Sequence, residues 1–163
     1  MQRPEFRPLD RIQVEMNLLE FPIASYSRRY AKSQGSMVVH RDAGAGRVFK
    51  WEVMGGANLG LPVPEDLDHF LVLLHEGNKH VETGPQYHFS FWKWALALDL
   101  DPTSGPVLKG LHRTLKRLVA STVFAEGSWW DADSGQRVSI ERPFHLLESY
   151  ELFKRVKRPG QID

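Results

Sequence analysis

From Leu61 to Ser121 the apolar positions of the chain recur at helical spacing, and beyond Ser121 the period falls to about two. Leu67, Phe70, Leu71 and Leu74 stand at i, i+3, i+4 and i+7 and predict a helix that ends near Gly77-Asn78. Its start is marked by Pro62-Val63-Pro64-Glu65-Asp66, with proline near the first helical position and acids where the helix dipole favours them. Ser90 can cap a brief helix with Phe91, Trp94, Ala95 and Leu98 on its inner face. Ser104-Gly105-Pro106 opens a longer helix over 104–120, with Leu108, Leu111, Leu115, Leu118 and Val119 as its buried stripe.

The remaining segments read as extended chain. Thr122 to Trp130 predicts a strand, Asp131-Ala132-Asp133-Ser134-Gly135 a turn, and Arg137 to Ile140 the returning strand. Phe144 to Tyr150 is a third extended run, and Gln86-Tyr87-His88-Phe89 is short enough for one small strand. Upstream, Met37 to His40 and Val48 to Val53 flank Asp42-Ala43-Gly44-Ala45-Gly46, whose glycines supply the positive φ of a hairpin turn. Before that hairpin lie a short amphipathic stretch, Ile12 to Phe21, and a polar, Arg-rich run from Ser25 to Gly35. They read as an arm with one helical or extended anchor rather than as part of the core.

Helix, short strand, helix, helix and β-hairpin is the order of a winged helix. The expected fold class is therefore α+β: a helix-turn-helix core with a C-terminal β-hairpin wing, preceded by an N-terminal arm and hairpin. The expected division is an arm over 1–35, the winged-helix domain with its N-terminal hairpin over 36–152, and a basic linker or tail over 153–163. Pro159-Gly160 breaks structure after the basic run, and the stop at Asp163 directly after it suggests either a shortened chain or a linker toward a further domain.

Charge changes this picture by segment. The formal net charge of +1 argues against a chain that binds polyanions through bulk charge. Residues 1–60 nevertheless carry +3, residues 61–103 carry −5 and residues 104–163 carry +3. No Asp or Glu occurs between Pro102 and Phe124. On the 104–120 helix, Lys109, Arg113, Lys116 and Arg117 fall within an arc of about 100° opposite the leucine stripe. A solvated face ordinarily mixes signs, because Glu–Lys pairs at i, i+4 support the helix. A face of one sign forgoes that support and is explained by an anionic partner. In a helix-turn-helix the second helix lies in the major groove, where Arg and Lys reach guanine edges and phosphates.

Arg137 and Arg142 on the following hairpin can touch phosphates or the minor groove, although Asp131 and Asp133 at its tip would repel them. Lys154-Arg155-Val156-Lys157-Arg158 is a second basic cluster, either a phosphate-touching linker or a solvated tail. Trp51 and Trp129-Trp130 are candidate aromatic surfaces for a homodimer.

Enzymatic chemistry has little to stand on. The chain has no cysteine, which excludes thiolate chemistry and Cys-based metal sites and fits a reducing cytoplasm. His69, His75, His80 and His88 have spacings that fit no common metal-ligand motif. Gly55 to Gly60 is glycine-rich, but no Gly-Lys-Ser/Thr follows it, so it is not a phosphate loop. Asp66, Asp68, Asp99 and Asp101 sit at helix ends or in loops, where Asp is routine. No nucleophile–base pair stands out, no cofactor or metal is implied, and no run of apolar residues is long enough to span a membrane.

Several segments, in this order, resemble the replication initiator protein A family of plasmid replication initiators. They are Met16-Asn17-Leu18-Leu19-Glu20-Phe21-Pro22, Gly60-Leu61-Pro62 before the helix Glu65 to Leu74, Leu111-His112-Arg113-Thr114-Leu115-Lys116-Arg117-Leu118, and Phe144-His145-Leu146-Leu147. The likeness spans about residues 12–152. It implies a winged-helix domain that binds repeated sites in a plasmid origin as double-stranded DNA, forms a homodimer and helps to recruit host replication proteins. Such initiators commonly carry two winged-helix domains, and this chain has room for one, so the resemblance fits the N-terminal one. Arg113, Lys116 and Arg117 are the helix positions the resemblance carries over. A winged-helix transcription regulator would share the fold, as would a dimerisation module with little DNA contact of its own. On sequence alone, Arg113→Ala with Arg117→Ala is the variant expected to abolish duplex binding.

Overall fold

The computed structural model describes residues 18, 20–42, 44, 48–80, 84, 86–139 and 143–153. In chain order they form α1 (Arg28–Ser33), β1 (Ser36–Asp42), β2 (Val48–Met54), α2 (Pro64–Asn78), α3 (Phe91–Ala97), α4 (Gly105–Ala120), β3 (Thr122–Glu126), β4 (Trp129–Asp131), β5 (Gln136–Val138) and β6 (Phe144–His145). The chain is an α+β fold with a four-stranded antiparallel sheet in the order β1-β2-β3-β6 and a separate β4-β5 hairpin.

Alternation along the strands decides which sheet face is covered. Trp51 and Val53 of β2 lie opposite Ala125 and Val123 of β3, and all four are buried. Trp51 is fully enclosed: it stacks on Phe21 with ring centroids 5.0 Å apart, and its indole N–H donates to the Pro22 carbonyl at 3.0 Å. The small Ala125 faces the large Trp51 across the ladder, so the pair fills one layer without crowding. Helices α2, α3 and α4 pack on one another and contribute Phe70, Trp94, Leu111, Leu115 and Leu118 to the same core.

The junction between α3 and α4 is built locally. Helix α3 ends in a paired 6→1 and 5→2 closure, with Leu100 N–H donating to the Ala95 carbonyl at 2.9 Å and Asp99 N–H to the Leu96 carbonyl at 3.1 Å. Asp99 takes the left-handed conformation (φ 54°) that glycine usually supplies there. Ser104 then caps α4, its hydroxyl accepting from Val107 N–H at 3.5 Å.

Four expectations change. Residues 21–35 do not form a peripheral arm: Phe21, Ile23 and Ala31 enter the core, and the Gly55–Gly60 turn packs against α1. A Cβ on Gly60 would lie 2.2 Å from the Ala31 carbonyl oxygen, so the glycines of this turn serve a close backbone crossing. Residues 86–89 are not a strand; Tyr87 instead anchors the segment by donating to the Leu73 carbonyl at 2.7 Å.

The strand expected over 122–130 breaks at Gly127 (φ 61°), where Ser128 turns inward and donates to the Lys50 carbonyl at 3.0 Å. Its first half therefore pairs with β2, and only Trp129–Asp131 enters the hairpin, paired with Gln136–Val138. The run from Phe144 to Tyr150 is strand only at Phe144–His145. The first hairpin forms as expected, although most of its turn lies outside the described residues; Gly44 there has φ 77°. Residues 1–17, the C-terminal basic cluster and Arg142 also lie outside the described residues. No helix among the described residues is long and apolar enough to cross a membrane.

Candidate nucleic-acid interface

Helix α4 presents Lys109, Arg113 and Lys116 to solvent. Their spacing of four and then three residues places them within an arc of about 60°, directly opposite Leu111, Leu115 and Leu118, which are buried. None of the three cations is in an ion pair among the described residues, and no acid stands in the first turn of α4. Gly110 lies between Lys109 and Arg113, with nothing within 4 Å of where a Cβ would project.

The other two basic residues expected at this surface take different partners. Arg117 turns inward and is 8% exposed. It pairs with the carboxylate of Asp66, which is 2% exposed, and its Nε donates to the Leu59 carbonyl at 3.3 Å. Its position at the edge of the basic arc lets the long side chain reach back toward α2. Asp66 is fully coordinated: Oδ1 accepts from the Thr114 hydroxyl at 2.6 Å, and Oδ2 accepts from Arg117 and from Val63 N–H at 2.8 Å. A buried carboxylate needs such a shell, because unpaired ionised groups are too costly to desolvate.

His69 completes the seam, with Nδ1 at 2.8 Å from the Thr114 hydroxyl oxygen. The threonine proton is committed to Asp66, so His69 donates from Nδ1 and the neutral ring carries its proton there. Burial lowers the His69 pKa below the ordinary imidazole value, against the opposing pull of Asp66, Asp68 and Glu65.

Arg137 is likewise held. Its guanidinium forks onto both carboxylate oxygens of Glu20 at 2.7 and 2.5 Å and donates to the Ser128 carbonyl at 2.6 Å. It also lies over the rings of Phe21, Phe49 and Trp130. This arginine ties the small hairpin to the segment before α1 and offers no free fork to a phosphate. At the hairpin tip, Ser134 donates hydrogen bonds that hold the Asp131 carboxyl below its usual range, so the tip carries negative charge.

Of the aromatic residues suggested for a dimer surface, Trp51 is in the core, while the half-buried Trp129 packs edge-on against Phe144 at 5.3 Å and the half-buried Trp130 lies against the Arg137 guanidinium. The four histidines disperse, with His69 on Thr114, His80 stacked on Tyr87, His88 beside Phe153, and His75 in the last turn of α2. Among the described residues no three metal-ligating side chains come together.

Hydrophobic periodicity does not reveal the Asp66–Thr114–Arg117 seam, although the sequence carries one signal of it. Thr114 stands three residues after Leu111 and four before Leu118, on the buried stripe itself, and Arg117 follows it by three. What remains outward is a compact triad of bases on the longest helix. No family model matches this chain, and neither a curated protein nor a solved structure does.

Proposed function

We propose that this chain is a winged-helix DNA-binding domain of a plasmid replication initiator, which engages origin duplex through Lys109, Arg113 and Lys116. The observation that carries the reading is the outward face of α4, which bears three bases and no acid. Supporting it is the placement of that helix as the second of the α3–α4 pair, joined through residues 98–104 and followed by β3 and the β4-β5 hairpin. In this reading α3 and α4 are the helix-turn-helix and β4-β5 is a small wing. Lys109 and Arg113 enter the major groove, Lys116 neutralises phosphate, and Arg117 positions the helix from behind. The wing makes little phosphate contact, because Arg137 is occupied and its tip is acidic. No chemical step is involved; the domain acts by binding, as a homodimer, and host replication proteins are recruited to the site it marks.

Nuclease footprinting on plasmid DNA that carries direct repeats beside the gene tests this. Protection of the repeats, lost when Lys109, Arg113 and Lys116 are all replaced by alanine, is the expected result. Protection of a promoter operator alone would make the domain a transcription regulator, and no protection at low salt would overturn DNA binding altogether.

A further inference from the structure

The two edges of the main sheet are unlike. One edge is β6, a strand of only two residues, while the other is β1, a strand of seven. Short edge strands, lysine, proline and bulges are the usual devices that keep a sheet from pairing with another chain. Strand β1, Ser36-Met37-Val38-Val39-His40-Arg41-Asp42, contains neither lysine nor proline, its two charged residues stand at its end with Arg41 held by Glu20, and its register with β2 runs unbroken from Ser36↔Met54 to Asp42↔Val48.

The hydrogen-bond parity of this ladder is fixed at its end, where Gly55 N–H donates to the Gly35 carbonyl at 2.8 Å. Gly35 and Gly55 are therefore a hydrogen-bonded pair, and so are Met37–Val53, Val39–Trp51 and Arg41–Phe49. The backbone N–H and C=O groups of Ser36, Val38, His40 and Asp42 point the other way, to the free edge. Among the described residues, no other backbone group bonds them. Val38 stands on this edge 41% exposed.

We infer that β1 pairs antiparallel with β1 of a second copy of this chain, about a twofold axis that passes beside Val39. An antiparallel edge is self-complementary, so one strand supplies both sides of a closed, isologous contact. With Val39 opposite Val39 of the partner, Ser36 faces Asp42, Met37 faces Arg41 and Val38 faces His40, which engages every outward backbone group of the strand. No like charges oppose one another in this register. Moving the axis to His40 sets imidazole against imidazole, and moving it to Arg41 sets guanidinium against guanidinium.

Val39 lies on the core side of the sheet next to Trp51, so the register continues the apolar layer across the axis. A twofold axis perpendicular to the sheet keeps both helical layers on one side of the doubled sheet. The inference gives the homodimer of the proposed function its surface. It rests on the sheet edge and not on the α4 cations, so it stands or falls separately from DNA binding.

The test reads mass and cross-linking. The full chain sediments as a dimer at micromolar concentration. Val38→Pro removes an outward N–H that β2 does not use, and sediments as a monomer with its circular-dichroism spectrum retained. Val39→Cys, in a chain without other cysteines, gives a disulfide-linked dimer under mild oxidation, because residues opposite one another in a non-hydrogen-bonded pair have Cα atoms about 4.5 Å apart. Val38→Cys, facing His40 rather than itself, does not. A monomeric wild type, a folded Val38→Pro variant that stays dimeric, or a dimer in which Val39→Cys fails to cross-link would overturn the proposal. If Val38→Pro does not fold, the cysteine pair decides alone.

Discussion

Asp66 concentrates the demands made on single residues in this chain. Its carboxylate completes the start of α2 by accepting from Val63 N–H, and the same group holds Thr114 and Arg117 of α4. One side chain thus joins a helix end to a helix–helix contact. Replacing Asp66 with alanine leaves the Arg117 guanidinium buried without a counter-charge. We expect a loss of about 3–5 kcal/mol in urea unfolding; a loss within about 0.5 kcal/mol, as at an ordinary surface site, would mean that the pair does not hold the helices together.

His69 adds a pH dependence of known sign. Its folded-state pKa lies below the unfolded value because burial disfavours the imidazolium. The unfolded chain therefore binds the extra proton first. The stability tied to neutral His69 is complete above the ordinary imidazole range and is lost as pH falls through and below it. His69→Gln should flatten the urea midpoint between about pH 7 and pH 5 relative to the wild type. An unchanged slope would show that this histidine does not titrate against folding.

At the scale of elements, the helices α2 and α4 formed where their spacing places them, but each is rotated from the face its apolar residues define. On α2, Asp66, Phe70 and Leu73 point to the core while Leu67 is exposed at its rim; on α4, Thr114 and Arg117 join Leu111, Leu115 and Leu118 inside. Hydrophobic periodicity treats every polar residue as outward-facing, so it cannot register a polar seam whose members satisfy one another across two helices. The same blindness hid the partner of β3. Alternation identifies Val123 and Ala125 as buried, but only the break at Gly127 sends this strand to β2 instead of the local hairpin.

Helix α4 also carries a correctable local weakness. Gly110 lies in its middle, and an added Cβ would meet no atom within 4 Å. Gly110→Ala should raise stability by about 0.5–1 kcal/mol through backbone entropy alone. A destabilisation would mean that the added methyl meets a neighbour, contrary to the open space around Gly110.

Across the described residues, part of the segmental charge is cancelled in ion pairs that join the segments. Arg28 pairs with Glu65 and Arg117 with Asp66, so the basic flanks neutralise two acids of the middle segment, while Lys79 pairs with Glu76 within it. Lys109, Arg113 and Lys116 survive this cancellation, which is why a chain of net charge +1 can still present a localised cationic face. That face was legible in the sequence as three of its four bases; the fourth was not, because a long arginine at the edge of the arc can turn either way.

The most direct test of the cationic face is the salt dependence of duplex DNA affinity, measured for the wild type and for Arg113→Ala/Lys116→Ala. Loss of phosphate contacts should flatten the plot of log affinity against log salt by about 0.9 for each contact removed, with the thermal unfolding of the variant unchanged. Equal slopes for the two proteins would contradict a DNA interface on the outer face of α4.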